Sequence, residues 1–328
     1  MLVHEQLGIY LVRLPLPFRL NHINSYAIKG GEGWWLVDTG LNTELNRQAW
    51  QQFMTQEGIS PRDIKAIFIT HAHPDHFGAA GWLQRLTSAP VFISHVDEAA
   101  IERVWQVRDN KRVDTFTSMF NSNGMPMSIT QSSSKEMNAL ATSTHPLPKL
   151  NNIELNSTVQ LGDFEYRAVF TPGHSDGHLC YFNEEFGVLL CGDHLLPKIT
   201  PNISLWPEAQ PDPLNNYLQS FQDNFWLSVK LALPAHGKPF KNVQERIDEI
   251  AAHHVERLNL MKGLVTEEAT VYSVSKQAFG ENLNAHEVRF AMAETAAHLM
   301  YLVYRGELVI KERGGVFIFN NSPLTKKA

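Results

Sequence analysis

Cysteine is nearly absent: Cys180 and Cys191 are the only two in 328 residues. Two thiols cannot build a disulfide framework, and the scarcity fits a reducing, cytoplasmic compartment. Both lie in apolar, strand-like runs, 179–182 and 188–191, and read as buried reduced thiols. Long hydrophobic runs are missing as well, so no membrane-spanning helix is expected. The start, Met1 to Gln6, has neither the basic segment nor the apolar core of a secretory leader, which points to a soluble protein with no cleaved targeting segment. Positive charge is in deficit. Lys and Arg number 28 against 34 Asp and Glu, for a net −6, which argues against a broad nucleic-acid surface. No Gly-x-Ser-x-Gly elbow occurs, so a serine nucleophile is not expected.

What is present is the composition of an ordinary globular protein, 43% hydrophobic and 19% charged. The length suits one large domain followed by a small one. Strand-like segments recur at 9–16, 24–28, 34–37, 66–70, 90–94, 157–161, 164–170, 179–182, 188–191 and 230–233. Helical spacing of apolar residues separates several of them, at 43–57, 77–86 and 213–227. This alternation predicts an α/β fold. Residues 97–149 break the rhythm, and 117–134 is rich in Ser, Asn, Met and Gly with weak periodicity. A connection of that length reads as an insertion, possible as a lid, with Phe116, Met119, Phe120, Met125 and Met127 as its apolar contacts. From 242 onward the pattern becomes helices to about 264, near 274–279 and at 285–304, then a hairpin across Gly314-Gly315. That is a winged-helix-like arrangement. The expected domains are therefore 1–241, catalytic, and 242–328.

One stretch carries the chemistry. His71-Ala72-His73-Pro74-Asp75-His76 directly follows the apolar run 66–70. Three imidazoles and a carboxylate at a strand end gather ligands of the kind zinc-like cations take. Further ligand-type residues close later strands: His174 after Thr171-Pro172-Gly173, Asp193 after Gly192, and His236 after Pro234-Ala235. Seven ligands exceed one tetrahedral ion and suit two cations sharing a carboxylate. Asp38, in Asp38-Thr39-Gly40 at another strand end, is either a helix cap or part of the site. His22, His95 and His178 have no partner pattern, and His253-His254 reads as solvated.

In combination, Thr70-His71-x-His73-x-Asp75-His76, Pro172-Gly173-His174, Gly192-Asp193 and Ala235-His236-Gly237 closely resemble the metallo-β-lactamase-fold hydrolases, over roughly residues 10 to 240. The resemblance implies an αββα sandwich with a small helical C-terminal domain. It implies that His71, His73 and His174 hold one metal, that Asp75, His76 and His236 hold the other, and that Asp193 bridges them. Asp38 would orient a ligand histidine from behind. Two divalent ions, zinc first with iron or manganese as alternatives, would ionise a bridging water that attacks a thioester, lactone or other ester carbonyl. Asp75 and Asp193 would anchor that nucleophile. His194 would donate a proton to the leaving group, bind a substrate oxygen, or serve as a structural hydrogen-bond partner. Trp206 and Tyr217 are expected to line the substrate pocket, with core packing as the alternative for Trp206.

Two other readings stay open: a phosphodiesterase or endoribonuclease of the same fold, and a non-hydrolytic or redox relative. His73 stands where flavodiiron oxygen reductases carry Glu, which weighs against the redox branch. From Glu245 to the end, 10 Lys or Arg face 11 Asp or Glu, a net of −1, which weighs against nucleic acid as a partner. A small-molecule ester or thioester is the expected partner, with no membrane. The apolar stripe Val288, Met292, Leu299, Leu302 and Val303 on the last helix is suited to packing on the catalytic part or to a homodimer.

Overall fold

The computed structural model describes residues 1–105, 111–223, 226 and 228–322. They form two compact units that interleave along the chain. One unit takes Met1–Gln106, Leu140–Pro201 and Asp223–Arg246; the other takes Val107–Ala139, Asn202–Gln222 and Ile247–Ala328.

The first unit opens with four strands, β1 (Leu2–His4), β2 (Ile9–Pro15), β3 (His22–Gly30) and β4 (Gly33–Val37), each antiparallel to the one before. Helix α1 (Glu44–Gln56) leads to β5 (Ile64–Phe68), the short α2 (Pro74–Phe77), α3 (Ala80–Thr87), β6 (Val91–Ser94) and α4 (His95–Trp105). Helices α5 (Lys111–Ser122) and α6 (Met127–Thr142) come next, followed by β7 (Leu150–Ile153). Strands β1 to β7 lie in sequence order in one seven-stranded sheet, parallel from β4 onward. A second sheet holds β8 (Thr158–Leu161), β9 (Phe164–Phe170), β10 (Leu179–Asn183), β11 (Val188–Gly192) and β12 (Leu231–Pro234). There β11 and β12 are parallel and the other pairs antiparallel.

Alternation along the central strands builds two cores at once. Leu36 and Ile67 point to a cluster shared with Trp50 and Phe53 of α1, Leu83 of α3 and Ile101 of α4. Their neighbours Val37, Ala66 and Phe68 point the other way, to Tyr166, Tyr181, Leu190 and Leu233 of the second sheet. Because side chains in a strand alternate faces, a run that is apolar at nearly every position must be covered on both sides. Each large side chain so enclosed contributes about 1.5–3 kcal/mol. The result is a mixed α/β sandwich with helices outside the first sheet and the second sheet against its other face.

The second unit contains α5, most of α6, and α7 (Pro213–Gln219). It continues with α8 (Val243–Leu264), whose first residues belong to the other unit, then α9 (Val271–Phe279), α10 (Ala285–Tyr304) and an antiparallel hairpin, β13 (Leu308–Arg313) with β14 (Val316–Asn321). Thr270 with Ser273 and Asn284 with Glu287 form capping boxes that start α9 and α10. Val271, Val274, Met261, Leu299 and Phe319 make up the buried centre.

Three local expectations change. Residues 77–86 are not one helix: α2 ends at Phe77 and α3 begins at Ala80. The weakly periodic 117–134 stretch is helical on either side of a turn at 123–126, because small polar residues occupy the inner face. Thr130, Ser133 and Met137 are buried at helical spacing, and the Ser133 hydroxyl donates to the Ala285 carbonyl. Phe116, Phe120 and Met125 are buried in the second unit, whereas Met127 is 54% exposed. His254 is not solvated; it is buried with Nδ1 3.2 Å from His298 Nε2. Among the described residues no helix is long and apolar enough to cross a membrane.

Candidate metal centre

Every ligand-type residue singled out above sits just past the C-terminal end of a strand in the first unit. Asp38 follows β4, residues 71–76 follow β5, His174 follows β9, Asp193 follows β11 and His236 follows β12. Open α/β sheets place their sites outside these ends.

Local geometry aims each group. Asp38 adopts φ +60°, a left-handed conformation that Asp tolerates better than most residues. Its carboxylate accepts from Thr70 N at 2.8 Å and Thr70 Oγ1 at 2.9 Å, and its Oδ2 lies 2.8 Å from His76 Nδ1. His73 caps α2 and Pro74 occupies its first turn, so Asp75 and His76 project from the turn that immediately follows. His236 Nδ1 lies 3.0 Å from the His22 carbonyl and donates to it, which leaves Nε2 facing the cluster. Gly192 has φ +49°, and a Cβ there would come within 2.7 Å of His178 Nε2. That position requires glycine.

The side chains converge. His73 Nδ1 is 2.9 Å from both His71 Nε2 and His174 Nε2. Asp193 Oδ2 lies 3.3 Å from His174 Nε2 and 3.5 Å from His76 Nε2, and its Oδ1 lies 3.4 Å from His236 Nε2. Asp75 Oδ2 is 3.5 Å from His236 Nε2 and 3.8 Å from His76 Nε2. Three groups of donor atoms result, each within 4.8 Å: His71, His73 and His174; His71, His76 and Asp193; and Asp75, His76 and His236.

Electrostatics divides the cluster. Burial, reinforced by neighbouring imidazoles, holds His71 well below the ordinary histidine range and pushes His73 down to about 3, so both are neutral, the ligating form. Burial also opposes charge on His76 and His236. The carboxylates Asp38, Asp193 and Asp75 overcome it, raising His76 well above its usual value, while Asp193 and Asp75 raise His236 to about 10. Burial works against the charge of Asp75 too, but His76 and His236 bring it down to about 2. The field that draws protons onto these two imidazoles would draw a cation equally.

The donor set fits divalent ions. One proton can serve only one of the two 2.9 Å contacts of His73 Nδ1, which leaves the remaining lone pairs facing each other unless a Lewis acid sits among them. Among the described residues His76 Nε2 and Asp193 Oδ1 are sealed from solvent without a hydrogen-bond partner, and buried polar atoms are seldom left that way.

Three other expected residues are not among these donor groups. His194 is fully buried with its ring stacked on Trp226 at 5.3 Å, it joins none of the three groups, and burial pushes its pKa down to about 3. Trp206 and Tyr217 belong to the second unit. There Trp206 packs against Phe116 and Phe290, and Tyr217 is fully enclosed beside Phe221 and His254.

Two supporting residues escaped sequence reasoning. His178 is fully buried and stacked on His71 at 5.0 Å. Its Nε2 accepts from Asp193 N at 3.3 Å, so Nδ1 carries the proton and donates to Thr171 Oγ1 at 2.9 Å. Asp97, also fully buried, accepts from Ala72 N at 2.8 Å, Ser175 Oγ at 2.8 Å and Gly177 N at 2.7 Å, tying the β5 loop to the His174 loop. The only sequence signal for His178 was its place immediately before an apolar strand, and Asp97 fell at the head of the 97–149 insertion with no ligand pattern around it.

Comparison with known proteins agrees with this architecture. The profile of the metallo-beta-lactamase superfamily matches residues 19–236, and that of the metallo-beta-lactamase-like C-terminal domain matches 258–322. The crystal structure of a metallo-beta-lactamase family protein from Thermus thermophilus superposes with a TM-score of 0.86 at 31% identity, covering 96% of this chain and 98% of that one. A Bacillus subtilis protein named as a probable metallo-hydrolase is 27% identical over 300 residues, 89% of this chain and 91% of its own length. More distantly, an atrochrysone carboxyl ACP thioesterase of Aspergillus fumigatus is 22% identical over 236 residues, 72% of this chain and 57% of that protein. The αββα expectation holds, and the chain belongs to the metallo-beta-lactamase superfamily.

Proposed function

We propose that this metal-dependent hydrolase carries two divalent cations, zinc first with iron or manganese as alternatives, and cleaves a small-molecule thioester or other ester. The observation that carries the reading is the sharing of Asp193, whose Oδ2 stands between His174 and His76 while its Oδ1 faces His236. His71, His73 and His174 would hold one ion, Asp75, His76 and His236 the other, and Asp193 would belong to both. Bound there, the cations supply Lewis acidity and make water acidic enough to ionise near neutral pH.

The chain's own residues do the rest. Asp38 and the His22 carbonyl hold His76 and His236 in the tautomer whose Nε2 lone pair points inward. Asp75 is the more open carboxylate, its side chain 22% exposed against 10% for Asp193, which suits it to orient an attacking water and accept its proton. Asp97 and His178 fix the loops that carry the ligands. In this reading His194, neutral and enclosed, supports Asp193 by packing and transfers no proton.

The thioesterase among the relatives favours a thioester over a lactone. The C-terminal helices and hairpin are read as a winged-helix-like packing module in a cytoplasmic enzyme, and their net charge of −1 disfavours nucleic acid. The test is a side-by-side assay of the metal-loaded protein on acyl thioesters, lactones, phosphodiesters and short RNA. Metal-dependent thioester turnover is expected; preferential, salt-sensitive RNA cleavage would replace this reading.

A further inference from the structure

Arg289, early in α10, is 5% exposed, and among the described residues no carboxylate forms an ion pair with it. Among the described residues its Nε, sealed from solvent, has no hydrogen-bond partner, and its guanidinium makes a single long hydrogen bond, from Nη2 to His286 Nδ1 at 3.4 Å. Glu136, the acid whose field reaches it, is an exposed residue of α6. Burial brings the group down only to about 10, so it remains charged at neutral pH. A buried guanidinium without a counter-ion is costly, and proteins seldom keep one without use for it.

Its surroundings suggest that use. The Phe290 ring lies 4.8 Å from the guanidinium carbon, and Trp206 meets Phe290 edge-on at 5.9 Å. Trp206, Phe290 and His286 all keep part of their surface in solvent. The cation therefore lies against Phe290, which in turn meets the partly exposed Trp206, all within one compact unit. A cation–π contact gives back only part of the desolvation cost. The planar fork of Arg matches carboxylate and phosphate oxygens two at a time.

We propose that Arg289 binds the carboxylate or phosphate of an organic acid whose flat or apolar body lies on Trp206. The site is built from residues of the second unit alone, and the proposal does not depend on the hydrolytic reading.

The test titrates the full-length protein, as purified, with benzoate, phenyl phosphate, inorganic phosphate and benzyl alcohol, following tryptophan fluorescence and heat. Saturable binding of both aromatic anions is expected, with none for benzyl alcohol, and the stronger of the two anions identifies the preferred headgroup. Arg289→Met should weaken that binding at least tenfold while melting at or above the wild-type temperature, and Arg289→Lys should fall between. Trp206→Phe should remove most of the fluorescence change yet leave measurable heat. Equal affinity in Arg289→Met, as binding at the metal cluster would give, overturns the proposal. So does a clear loss of melting temperature in that variant, which would make the guanidinium a structural element, or failure of both anions to bind at millimolar concentration.

Discussion

Asp38→Asn separates the two halves of the metal centre. Asp38 Oδ2 lies 2.8 Å from His76 Nδ1, and His76 Nε2 faces Asp193 and Asp75 at 3.5 and 3.8 Å. For Nε2 to offer a lone pair, the ring proton must reside on Nδ1 and the carboxylate must accept it. Asn keeps the volume and tolerates the +60° φ of this position. Its carbonyl can still accept from Thr70 N, which leaves the amide NH2 pointing at His76 Nδ1. That donor favours the tautomer with its proton on Nε2, the atom meant for the cation. Loss of such a supporting partner costs about 10–100-fold in metal affinity, or about 1.4–2.8 kcal/mol. The loss should be confined to the Asp75, His76 and His236 ion, because His71, His73 and His174 keep their geometry. Competition with a chromophoric chelator resolves the two affinities. One unchanged and one weakened constant is expected; two unchanged constants, or equal weakening of both, would refute the tautomer argument.

Other outcomes follow from single contacts. Gly192→Ala places a Cβ 2.7 Å from His178 Nε2 and 3.0 Å from the Thr70 Cβ at a positive φ; a loss of about 1–3 kcal/mol is expected in denaturant unfolding. Asp97→Ala leaves Ala72 N, Ser175 Oγ and Gly177 N without their acceptor. At about 1–3 kcal/mol for each buried donor, the melting temperature should fall and metal occupancy with it. Acid should weaken the second unit. Burial lowers His254 to about 3 and His298 to about 4, so the unfolded chain takes up to two more protons below its ordinary histidine pKa of 6.5. Glu294, raised by burial to about 7, holds one proton in the folded state above its ordinary 4.5 and offsets one of them. Between pH 6.5 and 4.5 stability should thus drop as pH falls, by about 1.4 kcal/mol per unit, and a His254→Gln, His298→Gln double variant should reverse that slope.

Much of the site could be read in advance because metal chemistry restricts residue types and strands end where loops begin. His71, His73, Asp75, His76, His174, Asp193 and His236 each follow an apolar run, and the structure brings all seven together in one unit. The supports were harder to see. His178 and Asp97 act through ring stacking and backbone N–H groups, contacts with no characteristic spacing. In α6 the helical period ran through Thr130, which bonds back to Pro126, and Ser133, which bonds to the distant Ala285, so the buried face leaves no hydrophobic stripe. The interleaving of 107–139 and 202–222 with the C-terminal residues was also invisible, because contact between distant segments leaves no mark on composition.

The central claim is that two cations share Asp193 and that turnover depends on them. Elemental analysis of the purified protein, coupled to thioester hydrolysis before and after chelation, tests it directly. Close to two equivalents per chain are expected, with turnover lost in chelator, restored by added zinc, and abolished in His73→Ala. Undiminished turnover by protein stripped of metal would contradict it.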